Sequence, residues 1–94
     1  MAIWIRKVVG EKSENYLKLA EDEWGLPVQF EVFEMWLKSG ADDLDSSYQW
    51  IADIGFSPRD GASGGGPIIS LEIMEICLSK RITIFLSEYG ADDA

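Results

Sequence analysis

Histidine does not occur in this chain, and that single absence removes much familiar chemistry. Ser-His-Asp and Cys-His arrangements are impossible without it. So is an imidazole general base tuned near neutral pH. Cysteine is almost as scarce. Cys77, alone in the apolar run EIMEICL, closes no internal disulfide and has no imidazole to activate it, so it reads as a small buried hydrophobe. One thiol without histidine also excludes a zinc site. Cations are few: eight Lys and Arg stand against seventeen Asp and Glu, a net charge of −9. The eight are scattered, with no basic stripe, and the overall charge repels nucleic acid and anionic membrane surfaces. No apolar run approaches the roughly 18 residues of a membrane span. The opening MAIWIRKVV carries Arg6 and Lys7 inside an apolar run too short for a secretory signal, so a cytoplasmic location is expected.

What is present suits a folded protein. Of 94 residues, 47% are hydrophobic and 12% aromatic, enough for one small core and too few for two. A single domain over 1–94 is therefore expected. Residues 2–9 are rich in β-branched side chains and read as a strand. In KSENYLKLAEDEWG, Tyr16, Leu17, Ala20 and Trp24 recur at helical spacing between a Ser13 cap and Gly25, which predicts a helix with Trp24 in the core. Residues 27–38 have two readings. Alternation of Val28, Phe30 and Val32 favours a strand with a bulge, whereas Phe30, Phe33 and Leu37 also share one helical face between Pro27 and Gly40.

The stretch GADDLDSSYQW places Asp42, Asp43 and Asp45 where they can cap a helix running to about Ile54, with Leu44, Tyr48 and Ile51 on its inner face and Trp50 on its flank. Residues 55–67 hold five glycines and two prolines and predict a flexible loop. A helix then follows from a Ser70 cap, with Leu71, Met74 and Leu78 on one face. A strand over RITIFLSEY comes next, and residues 90–94 form an acidic, frayed tail. The order strand, helix, strand, helix, loop, helix, strand implies an α+β fold. The expected architecture is one small two-layer domain, about three strands in a mixed or antiparallel sheet with two to three helices packed on it.

Motifs for specific ligands fail in turn. Asp43, Asp45 and Ser47 match the opening of a calcium loop, but Tyr48 and Ile54 stand where that loop needs glycine and glutamate. The residues alone leave a weak divalent site at Asp42, Asp43 or Asp45 open. DGASGGGP lacks the Gly-Lys-Ser/Thr ending of a phosphate loop, and Pro67 removes a backbone donor. No cofactor is implied.

A protein surface remains. Tryptophan is favoured at interface anchors, and the acids Asp42, Asp43, Asp45 and Asp53, with Trp50 and Trp4, are the candidate partner-binding residues. A compact, acidic, tryptophan-bearing domain without catalytic equipment has the physical profile of bacterial immunity proteins, by analogy and without a shared motif. The expected function is to neutralise a basic protein, such as a toxin or nuclease, by covering its cationic active surface. The alternative is a structural or adaptor domain, possible as a homodimer through a sheet edge, whose acidity serves solubility.

Overall fold

The chain opens as a hairpin. In the structure, a computed structural model that describes residues 2–90, strand β1 (Ile3–Val9) turns at Gly10 and Glu11 into strand β2 (Lys12–Leu19). Val9 pairs with Lys12 across that turn, and Gly10 takes the positive φ of +64° that a tight hairpin turn demands at its first position. Helix α1 (Leu26–Ser39) follows, then a 3-10 turn (Ala41–Asp43), strand β3 (Gln49–Phe56), helix α2 (Leu71–Lys80) and strand β4 (Ile82–Glu88). The sheet order is β2-β1-β3-β4, with β1 antiparallel to both neighbours and β4 parallel to β3. A parallel neighbour requires a crossover, and α2 supplies it. The result is a compact α+β domain: a four-stranded mixed sheet with two helices packed on it.

The core lies between the sheet and the helices. Ile3 and Ile5 of β1, Trp50, Ala52 and Ile54 of β3, and Ile82 of β4 face Phe30, Phe33 and Leu37 of α1 and Ile73 and Cys77 of α2. These positions alternate along the strands, so both helices lie on one sheet face, and among the described residues no helix covers the other. Among the described residues Gln29 is the one buried polar side chain; its Nε2 donates to the carbonyls of Glu23 and Gly55, fastening the start of α1 to the end of β3.

Several expectations are corrected. Residues 12–19 form β2 and not a helix, because pairing with β1 satisfies their backbone and overrides a helical pattern that buries little. Trp24, expected in the core, is 44% exposed and meets Tyr89 edge-on. Residues 27–38 are helical: Pro27 sits in the first turn, Gly40 caps the end, and Phe30, Phe33 and Leu37 are the buried face. The helix expected from the Asp cluster to Ile54 is instead a 3-10 turn followed by β3, whose alternating Trp50, Ala52 and Ile54 turn inward. Gly55 and Phe56, placed in the loop by their composition, end β3. Ser70 does cap α2, its Oγ accepting from the Ile73 N–H. Of the acidic tail, only Gly90 lies within the described residues.

Candidate functional site

The acidic turn is shaped by the end of α1. The Gly40 N–H donates to the Trp36 carbonyl at 2.6 Å, and the Trp36 indole lies so close that a Cβ at position 40 would sit 2.7 Å from its Nε1. The chain then exposes Asp42 and Asp43 on the 3-10 turn and sends Leu44 into the core. Asp45 folds back on itself: its Oδ1 accepts from the Ser47 hydroxyl at 2.7 Å and the Ser47 N–H at 2.9 Å. Those bonds, the hydroxyl first, hold its carboxyl below the usual aspartate value. Trp50 supports the turn from beneath, its Nε1 donating to the Asp45 carbonyl at 3.0 Å while Tyr16 meets its ring edge-on. It is 2% exposed, so the expected half-exposed anchor is a core residue. The cause is the strand: in β3, position 50 shares the inward face with 52 and 54.

Trp4 and Asp53 lie elsewhere. They share the helix-free sheet face with Arg6, Ile51, Phe85 and Ser87, as the strand registers require. Asp53 is engaged there. Its Oδ2 pairs with Arg6 Nη1 at 2.9 Å and its Oδ1 accepts from the Ser87 hydroxyl at 2.6 Å, which stitches β1, β3 and β4 across one face. Trp4 is half-buried, with Lys18 Nζ 5.0 Å from its ring centroid. The six residues picked from sequence thus separate into Asp42, Asp43 and Asp45 on the helical layer, Trp50 in the core, and Trp4 with Asp53 on the opposite face.

Where the cations go determines the field. Arg6 pairs with Asp53, Lys18 with Glu21, and Lys38 with both Glu34 and Glu72. Lys80 lies 3.9 Å from Asp42, Lys7 sits over the Tyr48 ring, and Arg59 donates to the Gly64 carbonyl. Only Lys12 and Arg81 are left without such a partner among the described residues. The carboxylates are not used up in return: Glu11, Glu14, Asp22, Glu31, Asp43, Glu75 and Glu88 are exposed and in no ion pair among the described residues. Among those residues no group of three or more carboxylates, cysteines or histidines converges as a metal site, so the Asp cluster does not gather as a cage. Burial pushes the Cys77 thiol up to about 11, which keeps it protonated at neutral pH.

One surface escaped the sequence. Leu71, Met74 and Leu78, read from the sequence as one face of the helix, are exposed at 75%, 49% and 83%. Helix α2 has two apolar faces, and it is Ile73 and Cys77 that reach the sheet. Period alone could not rank them; the β-branched Ile73 and small Cys77 are the pair that a tight helix–sheet seam accepts. No helix among the described residues is long and apolar enough to cross a membrane. Comparison with family models, with curated proteins and with solved structures finds no match in any of the three.

Proposed function

We propose that this chain is a small non-catalytic binding protein that neutralises a basic partner, such as a toxin or nuclease, by covering its cationic surface, in the manner of an immunity protein. One observation carries the reading: six of the eight cations, Arg6, Lys7, Lys18, Lys38, Arg59 and Lys80, are engaged within the fold, while a larger set of carboxylates points to solvent. A surface of that kind steers a cationic protein toward it. The partner's active surface is basic when its substrate is a polyanion, and an acidic inhibitor occupies it by presenting the same charge. Asp42, Asp43 and Asp45 are the residues assigned to first contact, because their turn projects from the helical layer and is held by Trp50 and Ser47. The proposed location is the cytoplasm.

The test is capture from the native host's lysate, followed by binding kinetics with the retained basic protein. The association rate constant is expected to approach the order of 10⁸ M⁻¹s⁻¹ at low salt and to fall steeply as salt is added. Replacing Asp42, Asp43 and Asp45 together by Asn removes charge without enlarging the side chains, and is expected to slow association while folding is retained. A rate constant indifferent to both salt and the triple substitution would overturn the reading.

A further inference from the structure

We infer that the hollow between the start of α1 and the end of the glycine-rich loop is a receptor for one lysine side chain of a basic partner. Its apolar walls take the four-carbon stem, and the Glu31 carboxylate at its rim takes the ammonium. That the lysine belongs to a protein partner rests on the inhibitor reading; the chemistry of the hollow stands on its own geometry. Pro27, Phe30 and Glu31 of α1 line one side, and Gly66, Pro67 and Ile68 line the other, around about 120 Å³. That is roughly the room of four waters, enough for a five-atom chain and well short of the about 300 Å³ at which drug-sized pockets begin.

Glu31 is the side chain that calls for a ligand. Two carboxylates, Glu31 and Glu34, lie three residues apart on α1 and so share a side of the helix. Glu34 is satisfied within the fold. Lys38, four residues on, pairs with it at 2.9 Å, and the Ser70 hydroxyl donates to it at 3.0 Å. The place four residues beyond Glu31 holds Met35. Glu31 is exposed, and its carboxylate has no ion-pair or hydrogen-bond partner among the described residues. A cation for it must come from outside the chain. The walls are held ready for one. Pro27 and Pro67 carry rings of fixed φ, and Gly66, at φ +111°, lines the hollow with bare backbone. The Ser70–Glu34 bond fastens the chain to α1 two residues past Ile68. Little freedom is then lost from the walls when a side chain enters.

Rim and walls together select the occupant. A wholly apolar group would strip water from the Glu31 carboxylate without replacing it. An anion would meet both that carboxylate and a chain of net charge −9. An alkylammonium suits both parts, because lysine lays its stem along apolar surface while its charged head stays at the water's edge. Phe30, 2% exposed, closes the floor, and Ile68, 80% exposed, is the wall that the stem would cover. A neighbouring hollow shares Pro27, Gly66 and Pro67 but is bordered by Arg59, whose charge disfavours an ammonium there.

The probe is n-butylammonium, with ammonium as the charge without the stem and n-butanol as the stem without the charge. Titrated into the isotope-labelled full chain, n-butylammonium is expected to move the NMR signals of Phe30, Glu31 and Ile68 together. A Kd on the order of 1–10 mM is expected for a five-atom ligand. Neither control should move those signals at the same concentration. Glu31→Gln and, separately, Ile68→Ser are expected to weaken the probe by roughly fivefold or more, with unchanged circular dichroism because both side chains are exposed. The basic protein retained from lysate is expected to leave the Glu31→Gln variant roughly tenfold faster, its association rate changing much less. Signals that move elsewhere, a control that works as well as the probe, or variants that bind it like the wild type overturn the inference. Salt-steered capture of a basic protein that is indifferent to Glu31→Gln removes the lysine receptor and leaves the inhibitor reading. Probe binding at the hollow with no basic protein captured removes that reading and leaves the hollow an alkylammonium site.

Discussion

The sheet has two outer strands, and they are built on opposite terms. β2 is a local strand, reached from β1 through a two-residue turn, and its burial is slight: six of its eight residues are exposed. It carries Lys12, Glu14 and Lys18, and its register with β1 slips at Ile5 and Arg6. Charge and irregularity both discourage a further strand from adding. β4 is reached only by way of a long loop and α2, and the unit it forms with α2 puts Ile73, Cys77 and Ile82 into the core. From Ile82 to Ser87 the strand bears no charge. One arm of the sheet is easily formed and guarded; the other is held by the core and open. A small domain can therefore spend few residues on one edge because the other arm, reached by non-local contacts, contributes the packing.

The largest test of that contrast is a pair of truncations. Ile73 is fully buried, and Ile73→Ala is expected to cost about 2–4 kcal/mol by creating a cavity beneath α2. Leu17 of β2 is only half-buried at the margin of the core, and Leu17→Ala is expected to cost about 1 kcal/mol. Urea denaturation of the two variants measures both. Equal losses would abolish the distinction between the arms.

The same contrast explains which parts of the fold were legible. The α2–β4 arm was readable because its signals are local and agree: a Ser70 cap, basic Lys80 and Arg81 at the helix end, and β-branched Ile82, Thr83 and Ile84 after them. β2 was not, because Tyr16, Leu17, Ala20 and Trp24 also fit a helix and the partner strand that decides the matter is a tertiary fact. The Asp cluster misled for a related reason. Its carboxylates suit a helix start, but Asp42 and Asp43 lie within a single 3-10 turn that no side chain caps, and the inward alternation of Trp50, Ala52 and Ile54 was the signal that outweighed them. For the candidate site, exposure of Asp42, Asp43 and Asp45 followed from polarity. The burial of Trp50 and the engagement of Asp53 by Arg6 and Ser87 depend on register, which composition does not fix.

Acid should separate the arms by a smaller margin. α2 is clasped to α1 through Glu34, which accepts from Lys38 at 2.9 Å and from Ser70 at 3.0 Å. Those partners, Lys38 first, hold the Glu34 carboxyl below its ordinary 4.5. A carboxyl with a lowered folded pKa contributes its full stabilisation above the ordinary value and loses it as pH falls through the lowered one. Amide exchange is therefore expected to show α2 and β4 loosening below about pH 4.5 more than the β1–β2 hairpin does. Glu34→Gln should flatten that dependence, and Ser70→Ala, which also removes the cap, should cost about 1 kcal/mol at neutral pH. An acid response shared evenly by both arms would place the sensitivity elsewhere.

The smallest expected effect belongs to the hairpin turn. Gly10 holds φ at +64°, and a Cβ built there meets nothing within 4 Å, so Gly10→Ala introduces no clash. What it introduces is the left-handed backbone penalty of an L side chain, about 1 kcal/mol, offset in part because alanine also narrows the unfolded ensemble. If β2 is a locally formed and marginally buried arm, the loss should appear as faster amide exchange in β1 and β2 near the turn. Protection in β3 and β4 should hardly change, because their hydrogen bonds open only with the core. A uniform loss of protection across all four strands would mean that the hairpin and the core open together, and that the sheet has one cooperative body in place of a guarded arm and a structural one.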